Sequence, residues 1–218
     1  MGKNITIPES ELVLNADGSV YHLKICPENL ADRIILVGDP GRVELISSYF
    51  DDIEFKGQNR EIVTHTGSFS GKRITVLSTG MGTDNIDIVM NELDALVNID
   101  LKTRTIKPNK KSLKIIRVGT SGGIQPDLPI NSFVVSDYGL GFDGLIHYYA
   151  NNKSVIENEL TNAFMHYFDW KGPLPEPYCI AANTDLVNLF NGDNFYHGIT
   201  ATASGFYGPQ GRKLRLDL

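Results

Sequence analysis

Short apolar runs alternate with amphipathic stretches along most of the chain. The run Arg33-Ile34-Ile35-Leu36-Val37 has the composition of a buried strand, and a Gly-rich turn follows it directly. Residues 85–97 repeat apolar side chains at the period of a helix, as Ile86, Val89 and Leu93 illustrate. Both patterns recur further along, so we expect strands and helices to alternate over the whole sequence.

The apolar pattern predicts the following elements. Strands are expected at 33–37, 60–67, 73–78, 113–118, 133–136, 178–182 and 199–203, and helices at 43–50, 85–97, 154–168 and 185–190. The sequence contains no internal repeat and no linker-like stretch. We therefore predict an α/β fold, with residues 1–218 forming a single three-layer αβα domain around a central mixed β-sheet.

The composition is that of a soluble globular protein. Of the 218 residues, 41% are hydrophobic and 21% are charged, and no apolar run approaches the ~20 residues that span a bilayer. The first residues lack the apolar core of a signal peptide, so we expect a cytoplasmic protein with no membrane partner. The two cysteines, Cys26 and Cys179, have no metal-site spacing, and we interpret them as buried free thiols.

The formal net charge of −6 argues against a nucleic-acid partner, because such binding draws on an excess of Lys and Arg. One basic stretch does occur, at residues 102–114, and we interpret it as a solvated loop. An acidic protein can still bind a small anion where a few arginines meet in one pocket.

Gly-rich turns follow three of the predicted strands, where α/β sheets place their ligand sites. The turns are Gly38-Asp39-Pro40-Gly41-Arg42, Ser78-Thr79-Gly80-Met81-Gly82-Thr83 and Arg117-Val118-Gly119-Thr120-Ser121-Gly122-Gly123. Glycine lets backbone N–H groups approach an anion, and Arg supplies a guanidinium fork for phosphate. An ordinary salt bridge is the alternative for Arg42 and for Arg117. If Arg117 is buried at its strand end, it needs an anionic partner.

A fourth segment, Phe206-Tyr207-Gly208-Pro209-Gln210-Gly211-Arg212, places two aromatic rings beside a Gln and an Arg. The rings could stack on a planar base. The Gln amide offers a donor and an acceptor and the Arg offers donors, which suits the N3–H and the two carbonyls of uracil. A plain surface turn is the alternative for this segment taken alone.

Together the four segments resemble the nucleoside phosphorylase family, over a stretch from about His22 to Arg212. The wider family is indicated by residues 38–43 and 117–124, and its uridine phosphorylases by Phe206-Tyr207 followed by Gln210 and Arg212. Two shorter segments, Val20-Tyr21-His22-Leu23 and Asn59-Arg60-Glu61, are similar to the family's N-terminal histidine motif and second arginine motif.

The resemblance implies a role for each matching residue. The phosphate-binding residues would be Gly38, Arg42, Arg60, Arg117, Gly119 and Thr120. The nucleoside-binding residues would be His22, Thr120, Ser121, Gly122, Phe206, Gln210 and Arg212. The catalytic residues would be Arg42, Arg60, Arg117 and Arg212, with no metal. Arg60 and His22 would reach in from a neighbouring subunit, and His22 would approach the ribose 5′-hydroxyl.

The activity implied is the reversible phosphorolysis of uridine to uracil and ribose 1-phosphate. Phosphate is the co-substrate, and no cofactor is implied. The assembly implied is a homodimer or homohexamer with shared active sites. A purine nucleoside phosphorylase or a nucleosidase is the alternative within the fold, although Gln210 and Arg212 argue against the purine enzyme. A non-catalytic nucleoside-binding subunit is the alternative from another class of protein.

The sequence departs from the family pattern at its carboxyl end. The resemblance implies a further segment with carboxylates that bind the ribose hydroxyls, then a strand and a long helix, and none of these occurs before Leu218. We therefore expect the chain to be truncated, with the C-terminal part of the family fold missing. Two smaller departures are the order Gly208-Pro209 and the length of the basic loop at 102–114.

Overall fold

A computed structural model describes residues 6–150 and 152–218 of this chain. The chain divides into two compact units, Met1–Thr120 and Ser121–Leu218, and each is described here by itself. That residues 1–218 form a single domain stays a prediction.

The first unit contains a five-stranded sheet and two longer helices. Its elements are β1 (Arg33–Val37), α1 (Gly41–Ser47), β2 (Asp52–Asn59), β3 (Ile62–Phe69), β4 (Lys72–Ser78), α2 (Thr83–Asn98), β5 (Ile99–Asp100), β6 (Thr105–Ile106) and β7 (Lys114–Val118), with a 3-10 turn at Pro27–Asn29. The strand order is β2-β3-β4-β1-β7. Strands β4, β1 and β7 are parallel, whereas β2 and β3 pair antiparallel. The predicted α/β fold with a central mixed sheet is thus confirmed.

The parallel strands of this sheet end at the same level. Val37 at the end of β1 pairs with Ser78 at the end of β4 and with Val118 at the end of β7. The glycines Gly38, Gly80 and Gly119 come one or two residues after these strand ends, so the Gly-rich turns begin at one edge of the sheet.

Apolar side chains cover both faces of the sheet. Ile34 and Leu36 of β1 belong to a cluster with the α2 stripe of Val89, Leu93 and Leu96. The intervening β1 residues, Ile35 and Val37, belong to a second cluster with Val43 of α1. Because neighbouring strand residues point to opposite faces, α2 covers one face and α1 the other. The layering in this unit is therefore the predicted αβα.

The second unit contains a smaller sheet. Its elements are β8 (Phe133–Gly141), α3 (Asn158–Tyr167), β9 (Tyr178–Ala181), α4 (Thr184–Val187) and β10 (Phe195–Thr202), with 3-10 turns at Leu145–Tyr148, Asn152–Ser154, Asn188–Phe190 and Gly208–Gln210. The strand order is β10-β8-β9, with β10 parallel and β9 antiparallel to β8. The Cys179 N–H of β9 donates to the Thr161 hydroxyl of α3 at 3.0 Å, which joins this helix to the sheet.

Several element boundaries differ from the sequence predictions. Strand β2 was not predicted, because it lies at the edge of its sheet and most of its side chains are polar and exposed. Helix α1 ends at Ser47, yet Phe50 still packs on the α1 side of the sheet and so extends the apolar pattern beyond the helix. The basic stretch contains β6, which pairs with β5. Strands β8 and β10 are longer than expected.

The structure also bears on two predictions from composition. Cys26 and Cys179 are both free thiols, but only Cys179 is buried, whereas Cys26 is partly exposed. Among the helices of the described residues, none is both long and apolar enough to cross a bilayer.

A buried Ser–His pair links α1 to β3. The Ser47 hydroxyl lies 2.7 Å from His65 Nδ1, and 7% of His65 is exposed. Burial lowers the pKa of His65 below its ordinary value, and the positive charge of Lys56 lowers it further. His65 is therefore held as a neutral base in the folded chain.

We expect acidification to destabilise the fold through His65. Above the ordinary histidine pKa of about 6.5, both folded and unfolded chains are neutral at this position, so its contribution is constant. As the pH falls from there towards the lower pKa of the folded state, the unfolded chain binds a proton first and stability is lost. Urea unfolding at a series of pH values from 7.5 to 5 should show this loss in the wild type and a smaller one in His65→Asn.

The exposed His166 of α3 provides the control for that comparison. His166→Asn should keep the wild-type dependence of unfolding free energy on pH. If the unfolding free energies of wild type and His65→Asn changed in parallel with pH, His65 would not be the group that causes the loss of stability.

Candidate functional site

The first turn of the site follows β1. The Gly41 N–H donates to Asp39 Oδ1 at 2.9 Å, which closes the turn before α1 begins. Arg42 is the second residue of α1 and is partly exposed. Since β1 lies between β4 and β7, this turn occupies the middle of the edge at which the three parallel strands end.

Arg117 lies on the bare backbone of two glycines at this edge. A Cβ atom added at Gly38 would stand 3.7 Å from Arg117 Nη2, and one added at Gly119 would stand 2.6 Å from Nη1. A side chain at Gly119 would therefore displace the guanidinium. The absence of a side chain at Gly119 thus leaves room for the Arg117 guanidinium, whereas Gly38 lies at an ordinary contact distance.

The premise that Arg117 is buried is wrong for this structure. Arg117, Gly119 and Thr120 are all exposed, because β7 is the edge strand of its sheet. No ion pair within residues 6–150 and 152–218 involves Arg117. A structural salt bridge, the alternative raised for this residue, is therefore not formed in the described part of the chain.

Arg60 is at the same edge, on the hairpin between β2 and β3. Asn59 pairs with Ile62, so Arg60 and Glu61 form a two-residue loop, in which Arg60 has the left-handed φ of 53°. The Ser78 hydroxyl at the end of β4 donates to the Glu61 carbonyl at 2.8 Å and anchors this loop. The structure thus brings the turns that carry Arg42, Arg60 and Arg117 to one edge of one sheet.

Glu61 was assigned no role from the sequence, although it is part of this edge. Its Oε1 accepts a hydrogen bond from Asn85 Nδ2 at 3.0 Å. Hydrogen bonding by its own backbone N–H lowers the pKa of Glu61, and the Asn85 amide lowers it further. Glu61 therefore adds a carboxylate beside the glycine turn after β4. The sequence feature that could have identified Glu61 is its position next to Arg60 in a tight turn.

His22 lies partly exposed on the loop before β1, and Glu92 of α2 holds it. His22 Nδ1 is 2.6 Å from Glu92 Oε1, and the exposed fractions of the two side chains are 31% and 13%. The Asn59 amide donates to the His22 carbonyl at 2.8 Å, which ties this loop to the Arg60 hairpin. Sequence reasoning found His22 but missed Glu92. The sequence feature that could have identified Glu92 is the position of its carboxylate directly beside the apolar stripe of α2.

In the second unit, the structure brings the three predicted base-binding residues together. Arg212 Cζ lies 4.3 Å above the centre of the Phe206 ring, within the range of a cation–π contact. Gln210 Oε1 accepts from Nε and from Nη2 of Arg212, both at 3.4 Å. All three side chains are exposed, as are Ser121 and Gly122 at the start of this unit.

The described residues contain no group of three or more His, Cys, Asp or Glu side chains that could hold a metal ion. The groups available at the edge of the first unit are guanidinium side chains and glycine backbone, which suit a phosphate-sized anion. The cluster of the second unit offers an aromatic face and amide and guanidinium hydrogen-bonding groups.

Comparison with known proteins gives the family. Residues 32–217 match the family model described as the phosphorylase superfamily, and this chain belongs to that superfamily. The family resemblance inferred from the motifs is thus confirmed.

Three proteins illustrate the similarity. A uridine phosphorylase from Thermococcus kodakarensis is 31% identical over 198 residues, which are 90% of this chain and 59% of that protein. A DeoD-type purine nucleoside phosphorylase from Streptococcus pyogenes is 29% identical over 180 residues, 80% of this chain and 66% of that protein. This chain therefore spans about three fifths to two thirds of the length of these two relatives. The crystal structure of a Trypanosoma brucei nucleoside phosphorylase, described as showing uridine phosphorylase activity, superposes with a TM-score of 0.76. That match is 33% identical and covers 94% of this chain and 72% of the other.

We expect Gly80→Ala to destabilise the first unit more than Gly71→Ala does. Both glycines have left-handed φ, 68° and 70°, where an L side chain costs about 1–2 kcal/mol. A Cβ at Gly80 would also stand 2.7 Å from Glu61 Cγ and 2.6 Å from Asn85 Nδ2, whereas nothing lies within 4 Å at Gly71.

Gly71→Ala thus serves as the control for backbone strain. The difference in unfolding free energy between the two variants, measured in urea, isolates the crowding of Glu61 and Asn85. We expect Gly80→Ala to lose about 1–3 kcal/mol more than the control. Equal losses would show that the Glu61–Asn85 contact does not constrain this turn.

Proposed function

We propose that this chain is a uridine phosphorylase, which cleaves uridine with phosphate to give uracil and ribose 1-phosphate. The observation that carries the proposal is that the turns bearing Arg42, Arg60 and Arg117 lie at one edge of the sheet. Strands β4, β1 and β7 end level there, and the Ser78 hydroxyl at the end of β4 holds the hairpin of Arg60. Several guanidinium groups on glycine-rich backbone form a site for a dianion rather than for water.

The arginines act by positioning phosphate. One phosphate oxygen forms a bond to C1′ of the ribose while the bond from C1′ to N1 of uracil breaks. The electron pair of that bond goes to the uracil ring, and the ring takes up the proton that the phosphate gives up. Holding phosphate in line with C1′ can lower the barrier by up to about 7–11 kcal/mol, because orientation is arranged before reaction. Arg42, Arg60 and Arg117 are the groups proposed to hold it, on the backbone of Gly38, Gly119 and Thr120.

The cluster of Phe206, Gln210 and Arg212 is proposed to hold the base. Negative charge develops on uracil as the C1′–N1 bond breaks, so a guanidinium at the ring edge stabilises the transition state more than the ground state. The Gln210 amide can both accept from uracil N3–H and donate to a carbonyl. Ser121 and Gly122 are proposed to line the nucleoside site.

The proposed enzyme uses no cofactor, acts in the cytoplasm, and assembles as a homodimer or homohexamer. In this assembly, Arg60 and His22 reach the phosphate and the ribose 5′-hydroxyl of a neighbouring subunit. The exposed position of Arg60 on a hairpin loop and the partial exposure of His22 are compatible with such a role.

A purine nucleoside phosphorylase is the second candidate, favoured by the DeoD-type relative. The hydrogen-bonded pair of Gln210 and Arg212 argues for uracil instead, since its groups match the N3–H and carbonyls of a pyrimidine. A nucleosidase has no need of the arginines at the sheet edge.

The first prediction from this proposal concerns phosphate. The full chain should release uracil from uridine only when phosphate is present, with ribose 1-phosphate as the second product. Removing a charged hydrogen-bond donor in Arg42→Gln or Arg117→Gln should lower kcat/KM by about 10- to 150-fold. Chromatography of the products, with and without phosphate, shows whether cleavage depends on phosphate. Initial rates from the same assay give kcat/KM for each variant.

Arg33→Gln is the matched control, because Arg33 is an exposed arginine at the opposite end of β1. It should keep wild-type kcat/KM. Cleavage of uridine without phosphate would identify a nucleosidase, preferential cleavage of inosine would identify the purine enzyme, and uridine binding without turnover would identify a binding subunit. Each of these three outcomes overturns the proposal.

The second prediction concerns the base. Gln210→Leu should lower kcat/KM for uridine by about 5- to 150-fold, because polar edges of uracil would lose their partner. The same substitution at the exposed Gln125 of this unit should leave kcat/KM unchanged. Equal kinetics for wild type and Gln210→Leu would remove Gln210 from the proposed base site.

A further inference from the structure

The Glu92 carboxylate is surrounded by N–H groups of the His22 loop. The His22 backbone N–H donates to both carboxylate oxygens, at 2.9 and 3.0 Å, and the Leu23 backbone N–H donates to Oε2 at 2.8 Å. The His22 ring adds its Nδ1 at 2.6 Å from Oε1. One side chain of α2 thus fixes both the backbone and the ring of a loop residue 70 positions away.

These contacts determine which ring nitrogen carries the proton. A carboxylate only accepts hydrogen bonds, so an atom at 2.6 Å from Glu92 Oε1 must be a donor. His22 Nδ1 is therefore protonated. In the neutral ring, Nε2 then carries the lone pair and acts as a hydrogen-bond acceptor.

The neighbours of the pair keep it in one position. Glu92 precedes Leu93, which is fully buried in the core, so the carboxylate has a rigid base. The Tyr21 ring packs edge-on against the His22 ring at 4.8 Å between centroids. The Asn59 amide holds the His22 carbonyl at 2.8 Å, next to Arg60 on the hairpin.

We propose that Glu92 is a positioning residue for nucleoside binding, which fixes His22 as the Nδ1–H tautomer so that Nε2 accepts a hydrogen bond from the ribose 5′-hydroxyl. The contact between His22 Nε2 and the hydroxyl rests on the proposed function, in which His22 approaches the ribose. The effect of Glu92 on the His22 tautomer concerns the chain by itself and can be tested without substrate.

Glu92→Gln provides a specific test, because the amide keeps the size of the carboxylate but has only one acceptor oxygen. The backbone N–H groups of His22 and Leu23 always donate, so the amide oxygen should turn towards them. The amide NH₂ then faces His22 Nδ1, and the ring relieves the clash by moving its proton to Nε2. The variant should therefore switch the tautomer of His22.

The first measurement is 15N NMR of histidine-labelled protein at a pH where the rings are neutral. The chain has five histidines, and His22→Asn identifies the His22 signals by their loss. We expect the Nδ1–H tautomer in wild type and in the control Glu11→Gln, which changes an exposed carboxylate of the same unit. We expect the Nε2–H tautomer in Glu92→Gln. An Nε2–H tautomer in wild type, or no change in Glu92→Gln, overturns the proposal.

The second measurement compares uridine with 5′-deoxyuridine as substrates. Wild type and Glu11→Gln should prefer uridine by about 2- to 13-fold in kcat/KM, the worth of one hydrogen bond. In Glu92→Gln the preference should fall below the wild-type value, because a protonated Nε2 can only donate to the hydroxyl oxygen and the hydroxyl proton loses its acceptor. The change should lie mainly in KM for uridine.

A purely structural role for Glu92 gives a different result. If Glu92 only holds the loop and His22 makes no contact with the 5′-hydroxyl, Glu92→Gln lowers kcat/KM for both substrates by the same factor and the preference for uridine stays as in wild type. That outcome overturns the role in nucleoside binding. Loosening of the loop without a change of tautomer is detected by the NMR measurement, in which the Nδ1–H signals persist. If wild type cleaves no uridine at all, the proposed function fails, while the NMR measurement still decides whether Glu92 sets the tautomer.

Discussion

The register of the parallel strands β4, β1 and β7 is the constraint on which the candidate site depends. Val37 pairs with Ser78 on one side and with Val118 on the other, so the three strands end level. Backbone hydrogen bonds set this register, and the clusters of apolar side chains on the two faces hold it. A shift of one residue would exchange the two faces and also separate the turns. The edge that carries Arg42, Arg60 and Arg117 is thus a consequence of how the core is packed.

Glycine and serine residues at this edge leave space for one arginine side chain and anchor the hairpin that carries another. Arg117 lies against Gly38 and Gly119, where no side chain competes for the space. The Ser78 hydroxyl, fully buried at the end of β4, anchors the hairpin that carries Arg60. Small residues at the strand ends therefore leave room for Arg117 and anchor the hairpin of Arg60.

Much of this fold follows from local patterns in the sequence. Strand β1 was predicted with the boundaries that the structure has, because four successive apolar residues follow Arg33 and end at a Gly-rich turn. The α2 stripe was predicted because Val89, Leu93 and Leu96 repeat at helical period, and all three are fully buried. Strand β2 was missed because it is an edge strand whose side chains are mostly polar and exposed, so its sequence shows no regular apolar pattern. The chain's sequence also gave no indication that Arg117 would be exposed, since exposure depends on which strand lies at the edge.

The residues that sequence reasoning missed share one physical feature: they act on side chains far away along the chain. Glu92 holds a residue 70 positions earlier and Asn85 holds Glu61 across 24 positions. A motif records residues that lie close together in sequence, so it finds His22 and Arg60 but not the groups that orient them. Both missed carboxylates, Glu61 and Glu92, lie beside the motif residues Arg60 and His22. Among the described residues, no ion pair joins a carboxylate to Arg42, Arg60 or Arg117. A protein with a net charge of −6 can therefore keep three guanidinium groups at one edge without pairing them with its own carboxylates.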